Sequence, residues 1–122
     1  MSNITVNPAN GPITVTVTVT SLQVVGIGIS VIMPDGNTET ESYITDSKAN
    51  NPYNKVLTLA PGSCSGYYVV GSYTIIDPIG AGNPYTIVMS LQQLGVALLP
   101  NITLTGTSAA GKVNRTGTFK IN

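Results

Sequence analysis

The sequence predicts an all-β fold, more specifically an antiparallel β-sandwich of seven to eight strands. Three observations favour this fold. Residues 13–20 alternate four β-branched apolar residues with four threonines, which is the period-two repeat of a half-buried strand. About eight such segments follow one another at fairly regular spacing, separated by turn signals rich in Gly, Pro, Asn and Asp. No segment shows the apolar periodicity of a convincing helix.

Length and composition fit one domain with few charges. The chain has 122 residues, enough for a two-layer core, so we expect a single sandwich domain over residues 1–122. Charged residues make up 8% of the chain, against a usual share of about a quarter, and the formal net charge is zero. Because nucleic acids and anionic membranes both attract clustered Lys and Arg, we expect neither as a partner.

The cellular compartment stays open. No apolar run approaches the roughly 18 residues that span a bilayer, so we expect no membrane insertion. The first residues have neither the basic nor the apolar region of a signal peptide. The chain as written is therefore cytoplasmic, or it is secreted or at the cell surface if a signal was removed. The single cysteine, Cys64, excludes an intrachain disulfide and leaves pairing between chains open.

The first third of the chain predicts a lead-in followed by two strands. Residues 1–12 are polar and contain an Asn-Gly-Pro turn signal, which indicates a lead-in segment or a short edge strand. The alternating strand over residues 13–20 loses its phase at residues 21–23, as a tight turn or bulge requires. In the next strand, over residues 25–33, small residues alternate with apolar ones. They indicate that another backbone or a bulky side chain lies close to that face.

The middle of the chain predicts an edge strand and a short strand. A turn over residues 33–37 contains Pro34 and Gly36, which suit its successive φ angles. The polar strand over residues 38–45 fits a sheet edge, because charge there discourages pairing with another molecule. A loop follows, and a short strand is expected over residues 55–59.

The last half predicts a central strand and several shorter ones. Residues 67–77 are substantially apolar on both faces, which indicates a strand inside a sheet. A strand over residues 85–92 follows a loop rich in Gly and Pro. Residues 96–99 have no clear role, a further short strand contains Ile102 and Leu104, and a last strand contains Val113, Phe119 and Ile121.

Residues 59–62 (Leu-Ala-Pro-Gly) and residues 71–75 (Gly-Ser-Tyr-Thr-Ile) carry a family resemblance. Together they resemble the "PG…G-x-Y-x-I" rhythm of many bacterial immunoglobulin-like domains. The resemblance implies an immunoglobulin-like sandwich in which Tyr73 closes a core corner. It also implies adhesion, spacing or ligand binding rather than catalysis. The chain lacks the two cysteines and the tryptophan of antibody domains, which excludes that group.

The chain has few residues suited to catalysis. It contains no histidine, which removes the usual general base at neutral pH and the commonest zinc ligand. Cys64 has no cationic neighbour in sequence that would lower its pKa, so we expect an unreactive thiol. We therefore expect no enzyme activity, no catalytic residue and no cofactor.

The acidic residues offer two weaker hypotheses. Glu39 and Glu41 share strand parity, roughly 7 Å apart, a separation that glycosidases use. On so polar a segment, protection of the sheet edge is the ordinary explanation. Asp35, Asn37 and Asp46 are weak candidates for calcium, because their oxygens could bind Ca²⁺ if the loops converge. Their spacing matches no known calcium loop, so we expect no dedicated metal site.

Tyrosine supplies six of the seven aromatic residues. An exposed tyrosine ring can stack on a sugar while neighbouring amides bond its hydroxyls. We expect Tyr67, Tyr73 and Tyr85 in the core and the other three tyrosines at the surface. The candidate ligand-binding residues are Tyr43, Tyr53, Tyr68, Asp46, Asn50 and Asn51.

The leading functional hypothesis is a non-catalytic binding or structural module that acts through a surface patch or a strand edge. Its partner would be another protein or a second copy of the chain, giving a homo-oligomer. Residues 13–20 carry no charge, so they would form an assembly interface if they lie at an edge. The alternative is a carbohydrate-binding module or lectin that binds a glycan through Tyr and Asn/Asp loop residues.

Overall fold

The chain forms nine strands and one short 3-10 helix (Pro8–Asn10) within the described residues. The structure, a computed structural model, describes residues 2–44, 51–77, 82–108 and 111–122, without the side chains of residues 39–41. In chain order the strands are β1 (Ser2–Ile4), β2 (Thr14–Thr20), β3 (Val24–Ile32), β4 (Thr38–Ile44), β5 (Tyr53–Val56), β6 (Tyr68–Asp77), β7 (Pro84–Gln93), β8 (Val96–Thr107) and β9 (Gly111–Ile121). The predicted all-β class is confirmed. No helix in this part of the chain is long and apolar enough to cross a membrane.

Two sheets form a sandwich-like architecture. The first sheet has five strands in the order β1-β9-β6-β3-β4, and the second has four in the order β5-β2-β7-β8. Neighbouring strands are antiparallel except β1, which runs parallel to β9. As predicted, β6 lies inside a sheet and β4 lies at an edge.

The core lies between the two sheets and follows from the period-two alternation. Val15, Val17 and Val19 of β2 are buried, while Thr18 and Thr20 are exposed. Burial of each such side chain stabilises the fold by roughly 1.5–3 kcal/mol. A register slip of one residue would expose all three valines to water, so this alternation sets the register of β2.

The strand count differs from the predicted seven to eight, because the described residues hold nine strands. One addition is β1, the short edge strand that the polar lead-in allowed. Residues 96–99 and the segment around Ile102, expected to be separate, form the single strand β8. A two-residue turn, with φ of 53° at Leu94 and 74° at Gly95, joins β7 directly to β8. The register shifts opposite Pro100, which lacks the N–H that a regular ladder needs.

Strand β2 is not an edge strand, so the proposed assembly interface at residues 13–20 is wrong. It lies between β5 and β7, and β7 pairs with all seven of its residues. Beyond the end of β5, the side chain of Asn51 takes the place of a strand. Its Oδ1 accepts from the Val19 N–H at 3.1 Å, and its Nδ2 donates to the Val19 carbonyl at 2.8 Å. The main chain of β2 is therefore occupied on both sides at Val19.

Candidate functional site

An exposed tyrosine ring lies on the outer face of the first sheet. Tyr43 of β4 is opposite Gly28 of β3, and 63% of its surface is exposed. A Cβ built on Gly26 would lie 2.6 Å from the Tyr43 hydroxyl oxygen, and one built on Gly28 would lie 3.5 Å from its Cδ2. The ring therefore leans over β3 where that strand has no side chains, and its far side remains open to solvent.

Ser30 and Ser72 carry hydroxyl groups on the same face as the ring, whereas Ser42 is opposite the buried Ile29 and its Oγ accepts from the Tyr53 hydroxyl. A depression of about 300 Å³ beside the ring is lined by Gly28, Ser30, Ser42, Tyr43 and Ser72. The register places Tyr43, Gly28, Ser72 and Thr116 in one row across four strands. Among the side chains that the structure describes, no charged one lines the depression, while the register places Glu41 opposite Ser30 at its border. The serine hydroxyls there can donate hydrogen bonds to uncharged hydroxyl groups and accept them.

A second, larger groove of about 710 Å³ begins on the same outer face at Tyr68 of β6. Tyr68 is half-buried, and the ammonium nitrogen of Lys120 lies 5.8 Å from its ring centroid. Tyr68 is opposite Ile32 on β3, four residues along from Gly28. Strand geometry therefore puts Tyr43 and Tyr68 roughly 16 Å apart on one face.

Of the other candidate residues, the two that the structure describes do not join this site. Tyr53 is half-buried against the core, and its hydroxyl donates to Ser42 Oγ at 3.3 Å, so the expectation that it is exposed is wrong. Asn51 is occupied by the main chain of Val19. Asp46 and Asn50 lie outside the described residues. Among the described candidates, Tyr43 and Tyr68 are thus the two that lie on this sheet face.

The buried tyrosines follow the expectation more closely. Tyr73 and Tyr85 are 1% and 3% exposed, and Tyr67 packs half-buried against the core. The hydroxyl of Tyr73 has no hydrogen-bond partner within the described part of the chain. Burial raises the pKa of Tyr73 well above its usual range. Tyr73 therefore contributes packing without the hydrogen bond that normally accompanies a buried tyrosine.

The calcium candidates belong to a turn. Asp35 Oδ1 accepts from the Asn37 N–H at 2.9 Å, and its Oδ2 accepts from Asn37 Nδ2 at 3.1 Å. This is an Asx-type turn that stabilises the link between β3 and β4. Across the described ranges, no three His, Cys, Asp or Glu side chains are grouped to hold a metal ion. Glu39 and Glu41 lie on β4, but their side chains are outside the description.

Cys64 is a buried thiol, 1% exposed. Burial raises its pKa, while a hydrogen bond from the backbone of Cys64 to its own sulfur partly opposes that shift. The Sγ atom lies 3.5 Å from the carbonyl oxygen of Pro61. A thiol that is both buried and held in its protonated form is a poor nucleophile, in line with the sequence-based expectation.

The hydroxyl residues of the site were missed by sequence reasoning, although one signal pointed to them. Gly26, Gly28 and Ser30 alternate along β3 and predicted that a bulky group lies close to that face. The structure identifies this group as Tyr43. Ser72 and Thr116 reach the site through cross-strand register, which links positions far apart in sequence.

No protein-family model, curated protein or solved structure matches this chain.

Proposed function

We propose that this chain is a non-catalytic binding module that holds a neutral carbohydrate against Tyr43. One observation carries the proposal: the exposed ring lies over two glycines, beside a row of hydroxyl side chains. The C–H face of a pyranose packs on an aromatic ring, and its hydroxyls both donate and accept hydrogen bonds. Serine and threonine hydroxyls have the same double capacity.

The open shape of the site supports weak binding of one sugar and stronger binding of a chain of sugars. A monosaccharide of about a dozen heavy atoms, at about 0.3 kcal/mol per atom, gains ~4 kcal/mol, which corresponds to millimolar affinity. A longer chain would extend along the same face toward Tyr68, whose ring edges the larger groove. The favoured ligand is therefore a neutral oligosaccharide.

The immunoglobulin-like assignment belongs to the same proposal. Two antiparallel sheets and the central position of β6 support it. Two features differ from that fold. Strands β7 and β8 intervene between the neighbours β6 and β9, whereas the last two strands of an immunoglobulin domain are consecutive. The unpartnered hydroxyl of Tyr73 also lacks the bond of a tyrosine corner.

Affinity electrophoresis in gels that contain neutral polysaccharides tests the proposal. We expect at least one polysaccharide to retard the wild-type chain and to leave Tyr43→Ala unretarded. Val56→Ala is the matched control, because Val56 is 58% exposed on β5 of the second sheet. Equal retardation of Tyr43→Ala and wild type would contradict the assignment of the site, and no retardation in any gel would contradict the ligand class.

A further inference from the structure

The charges of the first sheet are segregated between two strands. Strand β4 contains Glu39 and Glu41 and no basic residue. Strand β9, on the other side of the sheet, contains Lys112, Arg115 and Lys120 and no acidic residue. Basic and acidic residues are equally numerous in the whole chain, so the segregation comes from where they lie in the sheet.

Both strands present main chain that no described strand pairs with. Strand β4 ends the sheet and pairs only with β3 among the strands of the described ranges. Strand β1 pairs with just three of the eleven residues of β9, residues 119–121, which leaves the eight residues 111–118 free on that side. The seven residues of β4 match this free stretch in length.

Space for an added strand lies beside the free stretch of β9. The groove of about 710 Å³ is bordered there by residues 116–118 of β9 and residues 101–104 of β8. Ile102 and Leu104 are only half-buried and line it with apolar surface. Gly117 lets Ile102 pack close to β9 at the groove, since a Cβ on Gly117 would lie 3.0 Å from Cγ2 of Ile102.

We propose that β4 of one molecule adds to the free stretch of β9 in a second copy, which continues the first sheet from molecule to molecule. The strands β9, β6, β3 and β4 are successively antiparallel, so β4 runs opposite to β9. A copy placed alongside in the plane of the sheet thus presents β4 in antiparallel orientation to β9. An antiparallel ladder satisfies the free main-chain groups of both strands.

Charge selects this pairing over the alternatives. The acidic strand β4 meets a free stretch in which Lys112 lies on the outer face, whereas Arg115 has the opposite parity and is bonded inside its own molecule. Lys112 is therefore the positive charge that the pairing brings to Glu39 and Glu41. Pairing β4 with β4, or β9 with β9, would bring like charges together. Unlike edges that join head to tail form an open chain of subunits unless the rotation closes a ring.

Lys112 is the charge that tests the interface most cleanly. Arg115 already donates from Nη1 to the Tyr85 hydroxyl at 2.7 Å and to the Thr105 carbonyl at 2.9 Å, so its substitution would also disturb the fold. Lys112 is exposed, and its substitution leaves those contacts intact. The depression beside Tyr43 stays open in such an assembly, whereas the added strand takes up part of the larger groove near Tyr68. The assembly would set many copies of the Tyr43 depression side by side.

Sedimentation velocity of the purified chain between 20 and 500 mM salt tests the proposal. We expect species larger than the monomer that grow with protein concentration and shrink as salt screens the edge charges. Lys112→Glu and the double variant Glu39→Lys/Glu41→Lys should each stay monomeric. Their equimolar mixture should assemble again, because the unchanged edges still match and the two reversed edges are opposite in charge to each other. Thr18→Lys, an exposed change on the second sheet, should assemble like wild type.

Three results would overturn the proposal: a wild-type chain that stays monomeric at low salt, charge reversals without effect, or dissociation by Thr18→Lys. If circular dichroism shows that the double variant is unfolded, a second experiment keeps the proposal testable. Lys112→Glu retains its β4 edge and loses its β9 edge, so an excess of it should cap and shorten wild-type assemblies. An unchanged size distribution in that mixture would also overturn the proposal.

Discussion

The side-chain amide of Gln93 is hydrogen-bonded on both of its ends to the main chain of Asn7. The Asn7 N–H donates to Gln93 Oε1 at 2.9 Å, and Gln93 Nε2 donates to the Asn7 carbonyl at 2.9 Å and to the Gly11 carbonyl at 3.0 Å. Gln93 is 2% exposed and lies at the end of β7 in the second sheet. It therefore fastens the connection that leads from β1, in the first sheet, to β2.

Gln93→Ala should destabilise the fold strongly for a polar substitution. It removes three hydrogen bonds of about 1 kcal/mol each to the main chain of Asn7 and Gly11, so we expect a loss of about 3 kcal/mol in unfolding free energy. Urea denaturation measures this loss. Gln92→Ala is the control, because Gln92 is only half-buried and its amide nitrogen lies 3.5 Å from Ser90 Oγ. Equal effects of the two substitutions would refute the role of the Gln93 bonds.

Tyr73→Phe should not lower the free energy of unfolding, in contrast to most substitutions in a protein core. The Tyr73 hydroxyl is buried without a hydrogen-bond partner among the described residues, so its removal loses no bond. We expect the free energy of unfolding to stay unchanged or to rise by about 1 kcal/mol. Urea denaturation at pH 7 measures it. A loss of more than ~1 kcal/mol would show that the hydroxyl is bonded in solution.

Stability should fall at alkaline pH. Burial raises the pKa of Tyr73 and that of Cys64 in the folded state. Above the unfolded pKa values, about 8.5 for Cys and about 10 for Tyr, the unfolded chain loses protons that the folded chain keeps. The free energy of unfolding then declines with rising pH, at up to about 1.4 kcal/mol per pH unit for each group.

The comparison of urea midpoints at pH 8 and pH 10.5 detects this alkaline decline. Tyr73→Phe should reduce the decline, and Tyr73→Phe with Cys64→Ala should reduce it further. A decline of the same size in wild type and in the double variant would assign it to other groups.

Two glycine substitutions should separate binding from stability. Gly26→Ala places a methyl group against the exposed end of Tyr43, which can swing aside, so the ring moves while the fold persists. We expect weaker glycan binding and a stability change below about 1 kcal/mol. Gly71→Ala meets the Tyr73 hydroxyl and the Met89 sulfur inside the core, so it should cost about 1–3 kcal/mol. Thermal melts and glycan titrations of both variants check this contrast, and a greater loss of stability in Gly26→Ala would contradict it.

Local sequence patterns predicted where the strands lie in the chain better than which strands lie side by side in the sheets. The alternation of residues 13–20 identified β2, and the polarity of residues 38–45 identified an edge strand. Nothing in the local pattern showed that Asn51 and β5 cover one side of β2, because such pairing depends on contacts far apart in sequence. The condition that would have made residues 13–20 an assembly surface, an edge position, is therefore not met.

The site was predictable in part. Tyr43 was a candidate because exposed tyrosine suits sugars, and the small residues of β3 indicated a bulky neighbour. The sequence did not connect these two observations, since register alone brings residues 28, 43, 72 and 116 into one row. Tyr53 was a candidate for the same reason as Tyr43, yet its ring packs against the core. The exposure of a side chain at a strand end depends on how it packs against the opposite sheet, and the local sequence pattern does not show that packing.

A glycan array probed in parallel with the wild-type chain and Tyr43→Ala, with Ca²⁺ and with a chelator, tests the central claim most directly. We expect the wild type to bind neutral oligosaccharides equally in both buffers, because stacking on Tyr43 and hydrogen bonds to serine hydroxyls need no metal ion. Tyr43→Ala should give an empty array. A wild-type chain that binds no glycan, or a variant that binds the same glycans equally well, would contradict the account.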